Sequence, residues 1–490
     1  MGILSTLLLT PLIGILFLAL TPNTKTAQIR FLANFFAAVA VLFSCYLITI
    51  YNIGDGGLQF EEQYVLNPKL GTAFALGIDG VSLPMVVLAT LLTSIALLAS
   101  FSISNSVKGY HISILLLQFG MLGVFLSQDW ALFYIFWELT LAPLFLLIGR
   151  WGGIKRHAAS LNFVLYTMGG SIFMLISLFA ISQYMEPHSG TLMSAMSEAA
   201  QLMPRDEQVW VLLGFLIGFG VKMPIFPLHG WLPLAHVEAP SPVSILLSGI
   251  LLKMGAYGMI RAVVMLPEAT LVLQTFLVSL ALIGMIYGGV LAWRQTDLKA
   301  MVAYSSVSHM GIIMLGIATL NETGLIGAVL QMSAHGLVAG AMFLLVGLLY
   351  ERTHTRNILD YSSLVRVMPR FALFMTITLF AAMGLPGTVG FIAELHAFIG
   401  GYQQWGNVML FLGVSILVSA AYAMRTIGML FTGPVKPQMR EIEDLRIYEL
   451  VAASLLVFAI VLFGLWPSPL IELSTATITQ MTEIISQRIQ

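Results

Sequence analysis

The chain has 490 residues, of which 58% are hydrophobic and 9% are charged, and its mean hydropathy is +0.93. A soluble domain carries roughly 25% charged residues, so this composition excludes a soluble globular protein and indicates a polytopic membrane protein. The net charge of −1 and the single cysteine, Cys45, exclude a basic surface for nucleic acid, a disulfide framework and an all-cysteine iron–sulfur site.

The apolar segments predict an all-α polytopic membrane protein. Apolar runs of about 18 or more residues with few charges are typical of transmembrane helices, and continuous apolarity without a period of two argues against a β-barrel. The first segment lacks the positive n-region of a secretory signal, so we interpret it as a permanent span. Fourteen spans are predicted at 3–20, 31–51, 81–101, 112–127, 130–148, 161–184, 209–238, 242–264, 270–293, 299–319, 324–349, 371–400, 406–431 and 447–466.

The loops predict an orientation. Connections after odd-numbered spans hold fifteen Lys and Arg residues, and cytoplasmic loops carry such an excess. We therefore expect a multi-pass protein of a bacterial cytoplasmic membrane with both termini on the periplasmic side. Connections after even-numbered spans, counted with the tail and with Arg261 at the end of span 242–264, hold only Lys69, Arg205, Arg261 and Arg488. The three remaining basic residues lie inside predicted spans: Lys222, Lys253 and Arg425.

Ionisable side chains at membrane depth are the candidate functional residues. A charge at the bilayer centre costs about 2.5–3.5 kcal/mol even on a lenient scale, so several on one chain predict a hydrated or paired interior path. A single buried histidine is equally well a hydrogen-bonded core residue, and Arg425, which stays charged, favours a fixed counter-charge over a relay. The candidates are Glu138, Lys222, Lys253, His309, His335 and Glu394.

Two spans predict broken helices. Segments 209–238 and 371–400 run to about 30 residues, beyond the roughly 20 needed to cross a bilayer. Pro224 and Pro227 in the first and Pro386 in the second remove backbone donors and interrupt the helical ladder. Such breaks free backbone groups and admit water. A charge can then reside at membrane depth, where burial favours the neutral form of a lysine and a nearby carboxylate favours the charged form.

The charges also predict an inverted repeat. Three ionisable pairs are separated by 171 or 172 residues: Lys222 with Glu394, Lys253 with Arg425, and Glu138 with His309. This offset corresponds to five spans, an odd number, so the second copy is expected to be upside down, as in many transporters. The predicted organisation is spans 1–4 in 1–127, a first repeat of spans 4–8 in 112–264, a second repeat in 270–431, and the last span with the tail in 447–490.

Several segments resemble the antiporter-like membrane subunits of respiratory complex I, and most closely their subunit M group, the counterpart of mitochondrial subunit four. The similar segments are FWELTLAPLFLLIGRWGG, GFGVKMPIFPLHGWLPLAHVEAPSPVSILLSGILLKMGAYG, AYSSVSHMG, SAHGLVAGAMFLLVG and LPGTVGFIAEL. Glu394 after the second break, where the L, N and Mrp-type relatives typically have lysine, and the short tail lead us to expect subunit M. Leu234 departs from the family, which often has aspartate there, and His396 is an unexpected titratable group.

The resemblance implies a role for each candidate. Glu138 would pair with Lys222, Lys253 would be the central relay, His309 and His335 would continue a hydrated axis, and Glu394 would end the second half-channel. The chain would be a proton-translocating subunit of a NADH:quinone oxidoreductase, beside L-like and N-like neighbours in the lipid bilayer. It would hold no cofactor or metal of its own, because flavin, iron–sulfur clusters and quinone are expected in partner subunits.

Two other functions fit the sequence. The chain could belong to an Mrp-type cation/proton antiporter, or to the ion-pumping module of a related hydrogenase or carbon-uptake complex. Alternatively, it could be a structural membrane subunit whose buried charges form fixed ion pairs. Neutral substitutions of Lys222 or Lys253 that keep both assembly and pumping would favour the structural alternative.

Overall fold

A computed structural model describes residues 2–67, 71–186 and 190–489. Lys69, one of the loop cations that predict the orientation, lies outside this part of the chain. The protein is 78% helical, and within the described ranges eleven helical segments are long and apolar enough to cross a membrane. Two shorter apolar helices, Ser82–Leu98 and Pro369–Ala382, accompany them. The predicted all-α polytopic class is confirmed.

The N-terminal part contains a feature that hydropathy did not predict, a two-stranded antiparallel hairpin. The hairpin is tied to the first helix, because Glu62 accepts a hydrogen bond of 2.8 Å from the backbone N–H of Leu4. The elements here are α1 (Ile3–Leu20), α2 (Thr26–Ile50), β1 (Gln59–Asn67), β2 (Thr72–Ile78) and α3 (Ser82–Leu98).

The next part contains the first broken helix. Asp129 caps α5 by accepting a hydrogen bond from the backbone N–H of Leu132, and a π-helical turn at Leu247–Leu251 joins α11 to α12. The helices are α4 (Val107–Leu126), α5 (Trp130–Leu139), α6 (Leu141–Trp151), α7 (Arg156–Ser182), α8 (Met193–Gln201), α9 (Arg205–Lys222), α10 (Trp231–Glu238), α11 (Ser241–Leu246) and α12 (Leu252–Met265).

The C-terminal half contains the second broken helix and ends in an amphipathic helix. Proline at the first position starts both α13 and α17, where no intrahelical donor is needed. Its helices are α13 (Pro267–Arg294), α14 (Leu298–Ala318), α15 (Glu322–Thr353), α16 (Leu364–Val367), α17 (Pro369–Ala382), α18 (Val389–Trp405), α19 (Leu412–Phe431), α20 (Ile447–Leu465) and α21 (Ser468–Ile489), with 3₁₀ turns at Ile358–Asp360, Gly406–Phe411 and Pro437–Met439.

Both predicted helix breaks are present. Residues 223–230 separate α9 from α10 and include Pro224 and Pro227. Residues 383–388 separate α17 from α18, and there Gly384 and Gly387 adopt φ angles of +73° and +91°, which glycine takes without strain. The helical pattern therefore stops where the sequence places its prolines. The inverted-repeat relation between the two halves stays a prediction.

The bundle buries ionisable side chains in a largely apolar core and exposes apolar side chains on its outer helices. Helices α14 and α15 are buried almost along their whole length and carry His309 and His335. Outer helices expose large apolar side chains, such as Phe31 and Leu42 on α2, which are 69% exposed. This distribution suits a lipid surround, because lipid tails solvate apolar side chains and ionisable groups face the protein interior.

One end of the bundle, which we call the hairpin side, is formed by the β-hairpin, α8 and α21. The backbone N–H of Gly80 donates to the hydroxyl of Thr477 on α21 at 2.9 Å. Near the C-terminus, Arg488 donates to the carbonyl oxygen of Val264 at 3.1 Å. Helix α21 thus lies across the ends of spanning helices, and the tail is part of the packed structure.

Candidate functional site

Lys222 is the last residue of α9, immediately before the first break. Its ammonium donates hydrogen bonds to the carbonyl oxygen of Trp137, at 3.2 Å, and to the hydroxyl of Thr140, at 3.0 Å. The same nitrogen lies 3.9 Å from the centroid of the Trp137 ring, within cation–π range. Because Lys222 is only 1% exposed, these neutral acceptors replace the water that the side chain loses on burial.

Glu138, the expected partner of Lys222, lies in α5 between the two residues that hold the lysine. It is close enough to act on Lys222 electrostatically, but within the described ranges no salt bridge joins the two side chains. Its Oε1 is buried without a hydrogen-bond partner in the same part of the chain. Glu138 and Lys222 are therefore neighbours without a direct contact, because Trp137 and Thr140 accept the hydrogen bonds of the ammonium.

Lys253 is the second residue of α12, directly after the π-helical turn. Its Nζ donates to the carbonyl oxygen of Ser248 at 2.7 Å and lies 2.6 Å from Nδ1 of His335. A π-helical turn shifts the regular backbone pairing, and here a carbonyl of that turn faces the lysine. The Ser248 hydroxyl also lies 3.0 Å from that of Ser306 on α14, so a polar contact connects the π-helical turn to α14 beside Lys253.

The two histidines continue from Lys253. The rings of His335 and His309 have centroids 5.3 Å apart. Nδ1 of His309 lies 3.6 Å from Oε1 of Glu394 and 3.2 Å from the amide nitrogen of Gln331. Four of the six predicted residues are thus brought into one contact series that crosses from α12 through α15 and α14 to α18.

Glu394 lies beside the second break, although not in the way that Lys222 lies beside the first. It is the sixth residue of α18, whereas Lys222 ends α9. A Cβ on Gly384, within the break, would approach Oε2 of Glu394 to 2.5 Å. The left-handed glycine therefore makes room for the carboxylate. The equal offset between the two charges in sequence does not give them equal positions relative to the breaks.

A gap separates Lys222 from the contact series. Helices α9 and α12 approach closely at Gly255, whose Cβ would come within 2.7 Å of backbone atoms of Phe219 and Met223. Within the described ranges, no hydrogen bond or ion pair joins Lys222 to Lys253. The site therefore has two parts, the Lys222–Glu138 neighbourhood and the series from Lys253 to Glu394.

Two further titratable residues have local partners. Arg425 donates to the carbonyl oxygens of Trp293, at 2.6 Å, and Gln295, at 2.9 Å. These contacts satisfy the C-terminal end of α13, so Arg425 lies away from the axis despite its sequence offset from Lys253. His396 bonds through Nδ1 to the carbonyl oxygen of Ile392 in its own helix, at 2.8 Å.

The remaining histidines do not form a metal site in the described part of the chain, where no three His, Cys, Asp or Glu side chains gather. The ring of His236 is buried and stacks on Phe343 at 4.6 Å. The ring of His229 packs against Tyr287 at 5.4 Å. Lys299, the first residue of predicted span 299–319, was counted with the preceding loop, but it is buried and donates to the carbonyl oxygen of Ala239 at 2.8 Å.

Sequence reasoning missed three polar residues that support the axis. The hydroxyl of Tyr422 lies 3.4 Å from Nε2 of His309 and donates to the carbonyl oxygen of Ala382 at 3.2 Å. Gln331 contacts the other ring nitrogen of His309, and the hydroxyl of Ser248, whose backbone carbonyl accepts from Lys253, contacts Ser306. Neutral polar side chains in apolar helices carry little signal in one sequence, so only their distance from the ionisable groups identifies them.

Titratable groups in direct succession inside a membrane bundle give this protein the architecture of an antiporter-like membrane subunit. Residues 127–419 match the family described as NADH:quinone oxidoreductase/Mrp antiporter, TM. The chain belongs to this family, in the group of proteins known as subunit M or chain 4.

Curated relatives and a solved structure cover nearly the whole chain. NADH-quinone oxidoreductase subunit M of Rickettsia typhi is 36% identical over 96% of this chain and 96% of its own length. NAD(P)H-quinone oxidoreductase chain 4 1 of Picosynechococcus sp. is also 36% identical, over 99% of this chain and 92% of its own. A chain of respiratory complex I from Thermus thermophilus superposes with a TM-score of 0.87 at 30% identity, covering 97% of this chain and 99% of that one.

Proposed function

We propose that this chain is a proton-translocating subunit in the membrane arm of a NADH:quinone oxidoreductase. Electrons would pass through partner subunits that hold flavin, iron–sulfur clusters and quinone, and the chain would move protons with its own side chains. The observation that carries the proposal is the buried contact series Lys253–His335–His309–Glu394, with one contact of 2.6 Å and another of 3.6 Å between titratable groups.

Each neighbour in this series can exchange a proton with the next. A lysine gives up a proton as the ammonium and takes one as the amine, an imidazole carries a proton on either ring nitrogen, and a carboxylate accepts one. At hydrogen-bond distance a proton passes directly between such groups, and one water bridges a somewhat longer gap. Burial keeps bulk water from short-circuiting the transfer, since His335 and His309 are 2% and 4% exposed.

Lys222 and Glu138 would supply the switch that drives the series. A buried lysine near a carboxylate prefers to hold its proton, and the preference falls when the carboxylate moves away. The present arrangement, with Lys222 bonded to Trp137 and Thr140 rather than to Glu138, corresponds to one state of such a switch. Movement of α5 relative to α9 would produce the other.

The surroundings of the chain follow from the same proposal. L-like and N-like subunits would flank it in the membrane arm, and lipid would contact the apolar side chains that the bundle exposes. The excess of Lys and Arg in connections after odd-numbered spans supports a cytoplasmic position for those loops. The hairpin side, with both termini, would then face the periplasm.

The test replaces Lys253 with methionine in the intact complex. Lys253→Met keeps much of the side-chain volume and removes the proton-carrying group, so we expect proton uptake into sealed inverted vesicles to fall roughly 10²-fold, the lower end of what a positioned acid–base group contributes. NADH:quinone turnover would fall with it in a coupled enzyme. Both rates are measured on one preparation after assembly has been verified.

Lys108→Met is the matched control. Lys108 donates to two backbone carbonyl oxygens, those of Ala19 and Thr21, at 2.6 and 2.9 Å, but it is only partly buried, at the start of α4. Its loss should leave both rates unchanged. Full proton uptake by an assembled complex with Lys253→Met would contradict the proposed function and favour a structural membrane subunit. Uptake that requires sodium ions would favour a cation/proton antiporter.

A further inference from the structure

A cluster of aromatic side chains lies between Lys222 and the hairpin side of the bundle. All its members are at most 2% exposed, and each ring contacts at least one other ring of the set at centroid distances from 5.2 to 6.4 Å. We call this set the aromatic cluster, and it consists of Trp130, Phe133, Trp137, Phe215, Phe219 and Tyr257.

The aromatic cluster has a charge at one end. The ammonium of Lys222 lies over the Trp137 ring, 3.9 Å from its centroid. From Trp137 the ring contacts continue to Phe133, at 5.7 Å, and from Phe133 to Trp130, at 5.2 Å. The three residues Trp130, Phe133 and Trp137 follow one another along α5, so this helix carries the ring contacts from mid-membrane to its hairpin-side end.

The other end of the cluster reaches a cavity. Trp130 lines a cavity of about 430 Å³ on the hairpin side, together with residues of the β-hairpin, α8, α12 and α21. Its lining includes the charged residues Glu61, Asp79 and Arg261, so the cavity is suited to water. The aromatic cluster thus lies between a buried lysine and a cavity whose lining includes charged side chains.

A buried ion pair lies where the cavity meets the aromatic cluster. Arg261 and Asp79 are joined at 2.6 Å, and their side chains are 13% and 4% exposed. The same guanidinium nitrogen lies 3.0 Å from the hydroxyl of Tyr257, a member of the aromatic cluster. Arg261 therefore links the lining of the cavity to the aromatic cluster through Tyr257. Asp79 neutralises the charge of Arg261 at this contact.

We propose that the aromatic cluster and the Arg261–Asp79 ion pair form a seal that keeps Lys222 out of contact with water from the hairpin side. The inference rests on the proposed function, because a proton translocator dissipates its gradient if one relay group is open to both sides at once. Apolar constrictions exclude water and thereby block ion passage.

Packing alone gives a different expectation. A purely structural aromatic core would lose stability on substitution but would not separate two aqueous compartments. A seal separates them, and its removal opens a path from the cavity to Lys222. Accessibility and passive proton leak therefore distinguish the two, and neither measurement depends on NADH turnover.

The first measurement is cysteine labelling in the intact complex. Cys45, the single cysteine, is replaced by serine, and one new cysteine is introduced by Ser194→Cys, at the cavity, or by Thr140→Cys, beside Lys222. A small membrane-impermeant thiol reagent added from the hairpin side should label the first variant and leave the second unlabelled. Labelling of the Thr140→Cys variant at a similar rate would overturn the proposal.

The second measurement is proton leak. Phe133→Leu leaves a gap in the aromatic cluster, so we expect severalfold faster decay of a proton gradient across sealed vesicles with NADH absent, and labelling of the Thr140→Cys variant when the two changes are combined. Phe163→Leu is the matched control, because Phe163 is also fully buried but packs on Trp231 outside the cluster. Equal decay rates in the two variants would overturn the seal.

The ion pair provides an independent variant if Phe133→Leu fails to assemble. Asp79→Asn leaves Arg261 without its counter-charge and should also speed the decay of the gradient. Exchange of the two residues, Asp79→Arg with Arg261→Asp, should restore slow decay. A rate unaffected by Asp79→Asn would remove the ion pair from the seal. The two proposals fail separately. Loss of pumping in Lys253→Met with slow passive decay of the gradient would support both, whereas normal pumping in that variant would contradict the proposed function alone. Normal gradient decay in Phe133→Leu and in Asp79→Asn would contradict the seal alone.

Discussion

The two broken helices hold opposite charges by different means. Lys222 ends α9, where the helix dipole favours a cation, and its hydrogen-bond partners are a carbonyl and a hydroxyl that do not titrate near neutral pH. Glu394 lies inside α18, and its neighbour His309 is itself a proton carrier. The first break thus stores a charge among fixed acceptors, and the second places a charge beside an exchange partner.

Proton transfer is therefore limited by different steps in the two halves of the axis. From Glu394 a proton has a titratable neighbour 3.6 Å away, whereas from Lys222 none of the described residues offers a direct contact toward Lys253. Transfer across that gap requires a rearrangement or ordered water. We therefore expect conformational control in the first half of the site and direct proton exchange in the second.

The largest expected effect comes from Glu394→Gln. Glutamine keeps the shape and the hydrogen-bonding reach of the side chain but cannot take up a proton, so proton uptake into inverted vesicles should fall roughly 10²-fold. The control is Glu322→Gln, since Glu322 is an exposed carboxylate that bonds Thr479 on the hairpin side. Normal uptake with Glu394→Gln would show that the pair His309–Glu394 is structural and would remove the contrast between the two breaks.

An intermediate effect is expected from Gly384→Ala. Gly384 has φ of +73°, a conformation that costs an L-residue about 1–2 kcal/mol, and the new Cβ would lie 2.5 Å from the Glu394 carboxylate. Because 1.4 kcal/mol corresponds to tenfold, we expect about a tenfold fall in proton uptake together with a lower melting temperature of the purified complex.

Gly220→Ala, beside the first break, is the matched variant. Its Cβ would meet the end of the Ile225 side chain at 2.7 Å, which can move, and Gly220 lies in a regular helix. We therefore expect a small change in melting temperature and nearly normal uptake. Equal losses in the two glycine variants would mean that the second break does not depend on its left-handed glycine.

The apolar composition and the positions of the prolines were enough to predict a polytopic helical membrane protein and its two helix breaks. Prolines at 224 and 227 end α9 because they remove backbone donors, and the apolar runs match helices because a chain in lipid must satisfy its backbone hydrogen bonds within the segment. The same signals could not reveal the β-hairpin, since Gln59–Asn67 is a short polar segment whose pairing depends on β2 and on the contact of Glu62 with α1.

The sequence identified which residues form the site, but it did not predict which of them contact one another. A charge at membrane depth is conspicuous in sequence, and this identified Lys253, His335 and Glu394 without any structure. Distances between helices are not encoded locally, so the sequence suggested a Glu138–Lys222 pair where the structure has neutral acceptors. Equal offsets likewise placed Arg425 opposite Lys253, whereas the arginine closes the end of α13.

The smallest expected effects come from two neutral side chains, one in each half. Thr140→Val removes a hydroxyl that accepts from Lys222, and Tyr422→Phe removes a hydroxyl beside His309. A typical hydrogen bond contributes about 1 kcal/mol net, so each change should lower proton uptake only severalfold.

The double variant Thr140→Val with Tyr422→Phe tests whether the two halves of the axis are limited by separate steps. If the first half is limited by rearrangement and the second by direct exchange, the two hydroxyls act on separate steps, and distant independent sites are expected to add in free energy within about 0.5 kcal/mol. Uptake rates and melting temperatures of the two single variants and the double variant give the coupling. Strong non-additivity would mean that Lys222 and His309 already act as one unit, and that the gap between Lys222 and Lys253 is closed in the working enzyme.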